Sequence, residues 1–220
     1  MNNIINSTLN YLFIGLFFSM LIACEESPQS TAHLTPGDLK GQYQLAQDYL
    51  NNSAGKNDVN KAVKLLEHIA ELGYTPAQNK LGFLYSQGLY VQKDPALAIQ
   101  WYEKAATAGF TISQYNVAEM YRLGIGTEKD VKIAINWYRQ ASLNGYPLAM
   151  LRMAESYSKG EGSRKDPVNA YAWYQMAKEN GVNIPDSFIT SIARQLTEEQ
   201  LAEADILVED IKRNQKINRQ

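Results

Sequence analysis

A constant step of 36 residues runs through most of this 220-residue chain and limits what it can fold into. Tyr49, Tyr85, Tyr121 and Tyr157 keep that step, as do Asp58, Asp94, Asp130 and Asp166. Ala62, Ala98, Ala134 and Ala170 follow it, and so do Gly73, Gly109, Gly145 and Gly181. Trp101, Trp137 and Trp173 join the register, each followed directly by a tyrosine (Tyr102, Tyr138, Tyr174). A fixed period of this size marks stacked supersecondary units, not a single enzyme core.

Each unit reads as two helices. In the second unit Ala77, Leu81, Leu84 and Tyr85 form one apolar stripe at helical spacing. Gly88 ends that helix, as Gly124 and Gly160 do one and two steps later. Asp94-Pro95 and Asp166-Pro167 read as an N-cap followed by proline at the first helical position. All four register aspartates are expected as N-caps of second helices. The second helix carries Ala98, Trp101, Tyr102 and Ala105 on one stripe, and Gly109 closes it. The small residues let helices approach closely, and the Trp-Tyr pair fills the space between hairpins. The three tryptophans could line a carbohydrate groove, but their fixed place on this stripe favours core packing.

The first unit, from Gly41, is degraded: Leu65 and Leu66 replace Trp-Tyr, and Asn52 replaces the helix-ending glycine. After about Ile184 the register is lost. Phe188, Ile189, Ile192 and Leu196 predict one further helix. Thr197 caps a last one, with Gln200 at the capping-box position. Leu201, Ala204, Leu207, Val208 and Ile211 form its apolar stripe, which predicts a lid over the last hairpin. The polar tail after Lys212 is expected to fray.

These residues resemble the Sel1-like repeat, a relative of the tetratricopeptide repeat. The second unit matches its pattern with Ala77, Leu81, Gly82, Tyr85, Gly88, Asp94, Ala98, Trp101, Tyr102, Ala105, Ala106 and Gly109. The third matches through Val117, Ala118, Tyr121, Gly124, Gly126, Asp130, Ala134, Trp137, Tyr138, Ala141 and Gly145. The fourth matches through Ala149, Met153, Ala154, Tyr157, Gly160, Gly162, Asp166, Ala170, Trp173, Tyr174, Ala177 and Gly181. The resemblance implies an all-α, right-handed α-solenoid of four helix-turn-helix repeats over residues 40–183. Capping helices and a polar tail follow over 184–220. Every matched position is a packing or capping position, so function falls to the positions that the pattern leaves free.

Counting the first helices from Gly41, Ala77, Ser113 and Ala149, positions 1, 5, 8 and 9 are expected to pack. Positions 3, 7 and 10 lie on the opposite face. The resemblance implies that this face lines the concave surface. Position 3 holds Tyr43, Asn79, Tyr115 and Leu151; position 7 holds Gln47, Phe83, Glu119 and Glu155; position 10 holds Leu50, Ser86, Arg122 and Ser158. Exposed aromatics beside polar groups are the composition of a protein contact surface. The candidate partner-binding residues are therefore Tyr43, Gln47, Asn79, Phe83, Tyr115, Glu119, Arg122, Leu151 and Glu155, with Tyr43, Phe83 and Tyr115 as anchors.

An apolar run from Tyr11 to Ala23 precedes Cys24, the only cysteine. The run is too short to span ~30 Å of hydrocarbon and reads as a signal peptide over residues 1–23. Leu21-Ile22-Ala23-Cys24 resembles a bacterial lipobox, which implies a lipid-modified Cys24 at the start of the mature protein. Residues 24–39, rich in Ser, Pro, Thr and acid, read as a flexible tether. The expected location is the bacterial envelope, lipid-anchored and facing the periplasm of the outer or inner membrane.

With a net charge of −2 and no basic run, nucleic-acid binding has no electrostatic support. A single cysteine excludes an internal disulfide. The two histidines, His33 and His68, sit in the tether and at a variable position, and no metal-ligand spacing or phosphate loop is present. The register aspartates could suggest carboxylate chemistry, but helix capping accounts for them. No enzyme, cofactor or metal is expected. Three functional readings fit. The first is a non-catalytic scaffold or adaptor that holds another envelope protein. The second, implied by the resemblance, is a periplasmic immunity protein that neutralises a secreted antibacterial toxin. The third, less favoured, is a binder of cell-wall ligands or, as the resemblance implies, a β-lactam-acting enzyme.

Overall fold

The computed structural model describes residues 36–51 and 56–218. The expected signal peptide, Cys24, Asn52 and most of the expected tether lie outside them. The described residues form ten helices and no strand: α1 (Pro36–Asn51), α2 (Lys56–Glu71), α3 (Thr75–Gln87), α4 (Pro95–Thr107), α5 (Thr111–Leu123), α6 (Val131–Leu143), α7 (Pro147–Lys159), α8 (Pro167–Glu179), α9 (Asp186–Ala193) and α10 (Glu198–Asn218). From α2 to α9 each helix packs on the next in the chain. Ala46 and Leu50 of α1 share a core with Ala62, Leu66 and Ile69 of α2. This neighbour-on-neighbour stacking is the solenoid that the 36-residue step implies. The first turn of α1 lies in the stretch read as tether.

Local chemistry sets the helix ends. Gly88, Gly124 and Gly160 take left-handed φ values of 71°, 70° and 76°, and their N–H groups donate to Leu84, Met120 and Ser156 carbonyls. Glycine adopts this backbone without steric cost. Asp94 Oδ1 accepts from the Leu97 N–H at 2.9 Å, Asp130 Oδ1 from Lys132 and Ile133, and Asp166 Oδ1 from Asn169 at 3.0 Å. Each cap contributes ~1 kcal/mol. Asp58 departs from this pattern. Helix α2 begins earlier, at Lys56, so Asp58 sits inside its first turn and accepts from Lys61 instead.

Positions 1, 5 and 8 are buried in the second, third and fourth repeats. In the first they are not: Gly41 and Asp48 are exposed and Leu45 is 46% exposed. In the later repeats these positions meet the second helix of the repeat before, and among the described residues nothing precedes α1. What stays buried in α1 is Ala46, at the position that Gly82, Ala118 and Ala154 hold in the later repeats, together with Leu50, both in the core shared with α2.

Two helices follow the repeats. Phe188 of α9 meets Tyr174 edge to face at 5.0 Å, and Ile189 is buried. Thr197 and Gln200 exchange hydrogen bonds of 3.0 and 3.2 Å, a complete capping box. Helix α10 then runs back over α8 and reaches α6. The expected fraying after Lys212 does not occur. The helix continues to Asn218 because Gln215 is buried and Ile211 packs in the core.

The reason for that anchor is visible in the register. Gln78 Nε2 donates to the Ala70 carbonyl at 3.0 Å, and Gln114 Nε2 donates to Ala106 at 3.2 Å. One step later the acceptor is Ser142, but the glutamine position holds Met150. Gln215 supplies the missing amide from α10, its Nε2 donating to the Ser142 carbonyl at 2.8 Å. A second irregularity concerns the amide oxygens. Gln114 Oε1 accepts from Asn144 Nδ2 at 2.9 Å, whereas Gln78 Oε1 is buried with no hydrogen-bond partner among the described residues. The residue one step before Asn144 is Ala108, which has nothing to donate.

Two stability predictions follow from these bonds. Gln215→Ala should lower the unfolding free energy by ~1 kcal/mol in urea titration, and adding Met150→Gln should recover part of that loss. An additive, unrecovered loss would show that the anchor is packing alone. Ala108→Asn should raise stability by ~1 kcal/mol by meeting Gln78 Oε1, a gain of a few degrees in Tm for a chain of this size. An unchanged melt would mean that Gln78 is already satisfied.

Candidate protein-binding face

Helices α1, α3, α5 and α7 present positions 3 and 7 of each repeat on one side, and they differ sharply in what those side chains do. At the N-terminal end Tyr43 is half-buried, its ring 5.5 Å from that of Tyr74, and its hydroxyl bonds to Gln47. Burial raises the Tyr43 hydroxyl above its usual pKa. Asn79 accepts from Ser113 Oγ at 2.9 Å, a stitch between α3 and α5. Phe83 stands out, 41% exposed, with Lys80 Nζ 5.7 Å from its ring centroid. An exposed aromatic beside a cation is the most adhesive element of this face.

Toward the C-terminal end the same positions are tied to one another. Glu119 is the hub. Its Oε2 pairs with Arg122 Nη2 at 2.5 Å, and its Oε1 accepts from Tyr138 Oη at 2.6 Å and Arg152 Nε at 2.8 Å. Arg152 Nη1 reaches Glu155 Oε2 at 2.9 Å, and Arg122 Nε donates to Tyr138 Oη at 3.2 Å. Tyr115 lies half-buried with its ring 5.8 Å from Tyr138 and 5.0 Å from Tyr146. Leu151 packs on the same core. Arg122, Glu119 and Glu155 thus form an internal network that joins α5, α6 and α7.

Position 10 behaves less uniformly. Ser86, Arg122 and Ser158 are partly exposed, but Leu50 is buried in the N-terminal core. The sequence reading missed Arg152, Tyr138 and Tyr146 as members of this site. The pair Arg152 and Glu155 stands at i, i+3 on one helix and could have been found that way. The link from Arg152 to Glu119 crosses repeats, and no local pattern announces it. Among the described residues no cluster of His, Cys, Asp and Glu could hold a metal ion.

The electrostatics of the hub follow from its partners. Burial pushes the Glu119 carboxyl up, but hydrogen bonds from Arg122 and Tyr138 and the charges of Arg152 and Arg122 outweigh it, leaving the group below its ordinary value of 4.5. Burial and then Glu119 push the Tyr138 hydroxyl strongly up, so it stays a donor. A carboxyl lowered on folding adds stability above its unfolded pKa, and that part is lost as pH falls through the folded value. Glu119→Gln should therefore cost ~2 kcal/mol near neutral pH. The gap from the unsubstituted chain should narrow below pH 4.5. A gap that stays constant in unfolding titrations down the acid range would mean that Glu119 acts by shape and not by charge.

The Sel1 repeat profile matches residues 39–74, 75–110, 111–146 and 147–182, more than half of the chain. Among solved structures, a protective antigen present in uropathogenic Escherichia coli strains, which displays an SLR fold, is similar: 35% identity, TM-score 0.62, over 66% of this chain and 31% of that one. A Sel1 repeat protein from Oxalobacter formigenes matches with 31% identity and TM-score 0.59, over 65% of this chain and 58% of that one. Protein sel-1 homolog 2 of Mus musculus is 38% identical over 63 residues, which is 29% of this chain and 9% of that protein. The chain thus spans only a small part of that curated relative and under two thirds of both solved structures. Sel1 repeats are generally non-catalytic binding scaffolds, used in contacts between proteins. Four consecutive matches in register with eight stacked helices place this chain in the Sel1 repeat family.

Proposed function

We propose that this chain is a non-catalytic, protein-binding adaptor of the bacterial envelope, held to a membrane by a lipid on Cys24, with the face of α3, α5 and α7 as its contact surface. The observation that carries this reading is the pairing of an exposed anchor with a rigid support. Phe83 projects at 41% exposure, and the neighbouring Glu119–Arg122–Arg152–Glu155 network fixes its own side chains before any partner arrives. Preorganised side chains lose less entropy on binding than free ones. The lipobox-like Leu21-Ile22-Ala23-Cys24 supports the envelope setting.

Crosslinked capture of the full-length protein from its own cell envelope tests both halves of the proposal. Phe83→Ala should reduce recovery of the principal partner at least tenfold, consistent with the 2 kcal/mol or more that defines an interface hot spot, while helical content and melting stay unchanged. Cys24→Ala should move the protein from the membrane to the soluble fraction. Undiminished capture by Phe83→Ala would remove this face as the contact surface, and unaltered membrane retention of Cys24→Ala would remove the lipid anchor.

A further inference from the structure

The register makes one part of the array a template for the next. Tyr85 Oη donates to Glu67 Oε1 at 2.8 Å, and one step later Tyr121 Oη donates to Glu103 Oε1, also at 2.8 Å. Each bond ties the first helix of a repeat to the second helix of the repeat before. Burial and then Glu67 push the Tyr85 hydroxyl up to about 12, and Glu103 and then burial raise that of Tyr121, so both remain donors. One step further the tyrosine recurs as Tyr157, but the glutamate position holds Arg139. The backbone keeps its course: the Asp166 N–H donates to the Tyr157 carbonyl at 2.9 Å, as that of Asp94 does to Tyr85 at 3.0 Å. Tyr157 Oη, however, has no hydrogen-bond partner among the described residues. A cation stands where the carboxylate stood, and the hydroxyl that would donate to a carboxylate is kept.

The charges around Arg139 change with it. Between α2 and the 88–94 loop the charged lining is Lys64, Glu67, Lys93 and Asp94, which is balanced. One step on, the counterparts of that lining include Glu103, Glu128 and Asp130 against Lys129 alone. Two steps on, they are Lys132, Arg139, Arg164 and Lys165 against Asp166 alone. The 160–166 loop lies directly on α6, since a Cβ on Gly162 would stand 2.6 Å from Ile135 Cδ1 and 2.9 Å from Val131 Cγ1. Asp166 is engaged, its Oδ1 accepting from the Asn169 N–H at 3.0 Å and its Oδ2 from Asn169 Nδ2 at 2.8 Å. The next carboxylates along the chain are Asp130, which caps α6, and the exposed Glu161. Lys132, Arg139, Arg164 and Lys165 are exposed and form no ion pair among the described residues. In the same loop Ser163 Oγ is buried with no hydrogen-bond partner among the described residues. Cations left unpaired in this way favour an acidic partner by charge complementarity.

We propose that α6 and the 160–166 loop bind an acidic segment of a partner protein, one carboxylate of which accepts from Tyr157 Oη, as Glu67 and Glu103 do from their tyrosines, and pairs with Arg139. Neighbouring acids of the segment then meet Lys132, Arg164 and Lys165. The site shares no residue with the face that carries Phe83 and does not depend on it. The test is an NMR titration of the isotope-labelled full chain with acetyl-Glu-Glu-Glu-amide, its neutral counterpart acetyl-Gln-Gln-Gln-amide, and sodium phosphate. The acidic peptide should shift amides of residues 131–139 and 157–166 saturably. Arg139→Glu gives Tyr157 the acceptor that Tyr85 and Tyr121 already have, so this variant should stay folded by circular dichroism while the Kd rises about tenfold or more, the scale of one charge-assisted hydrogen bond. Tyr157→Phe, which removes only the hydroxyl, should raise the Kd about threefold or more. Lys64→Gln, in the groove of balanced charge, should leave it unchanged. Equal affinity for the neutral peptide, shifts centred elsewhere, no saturable shift, or binding that survives either the Arg139 or the Tyr157 variant would overturn the proposal. So would phosphate reproducing the peptide's shifts at the same affinity, which would reduce the site to an adventitious ion only.

Discussion

The fold depends on how closely the two helices of a repeat can approach. At Gly82 an added Cβ would lie 2.6 Å from the ring of Tyr102, so the tyrosine of the second helix seats directly against the backbone of the first. One and two steps on, the same position is Ala118 and then Ala154, both fully buried, with Tyr138 and Tyr174 buried at the partner position. A small residue facing a large ring gives interlocking surfaces without voids, and interior packing density tolerates neither a gap nor a clash. Everything else in the array is arranged around that seam. The aspartate caps and glycine ends fix helix lengths so that the next seam recurs 36 residues later.

A repeating chain has a difficulty at every place where repetition stops, because each unit relies on its neighbour for both apolar cover and hydrogen bonds. The N-terminal unit keeps only the buried stripe that it shares with α2, leaving Leu45 in solvent. The C-terminal end resolves it by imitation. Met150 removes the amide that the register would place on Ser142, and Gln215 returns one from a helix 73 residues downstream of that serine. Lys212 adds contacts to Glu179 and Glu209 on the same stretch. Helix α10 therefore continues the polar pattern of the repeat after the sequence pattern has ended, which is why a tail that looks unanchored by composition stays helical to Asn218.

Much of the architecture was legible in the residues because packing and capping chemistry is local. The helix ends at Gly88, Gly124 and Gly160, the caps at Asp94, Asp130 and Asp166, and the Thr197–Gln200 box all follow from short spacings. Asp58 was misread because its identity matches the register while the start of α2 does not. Position counting puts the candidate residues on one side of α1, α3, α5 and α7, but the chemistry among them was not readable. Whether Glu119 meets solvent or Arg152 depends on a contact between residues 33 apart, set by the angle at which α7 packs near α5. Position counting locates a side chain on a face and says nothing about which charges on that face have already found each other.

That distinction bears on what kind of partner the face suits. Four charged groups, Glu119, Arg122, Arg152 and Glu155, neutralise one another, and breaking such pairs to meet an incoming charge would leave the abandoned group poorly solvated. A partner that contacts this end therefore gains by covering the network and leaving it intact, with an apolar or hydrogen-bonding surface. Its strongest contact would fall on Phe83, whose ring is 41% exposed beside the Lys80 ammonium. The network arises from single departures from the repeat, Glu119 and Arg152 at positions that the pattern leaves free.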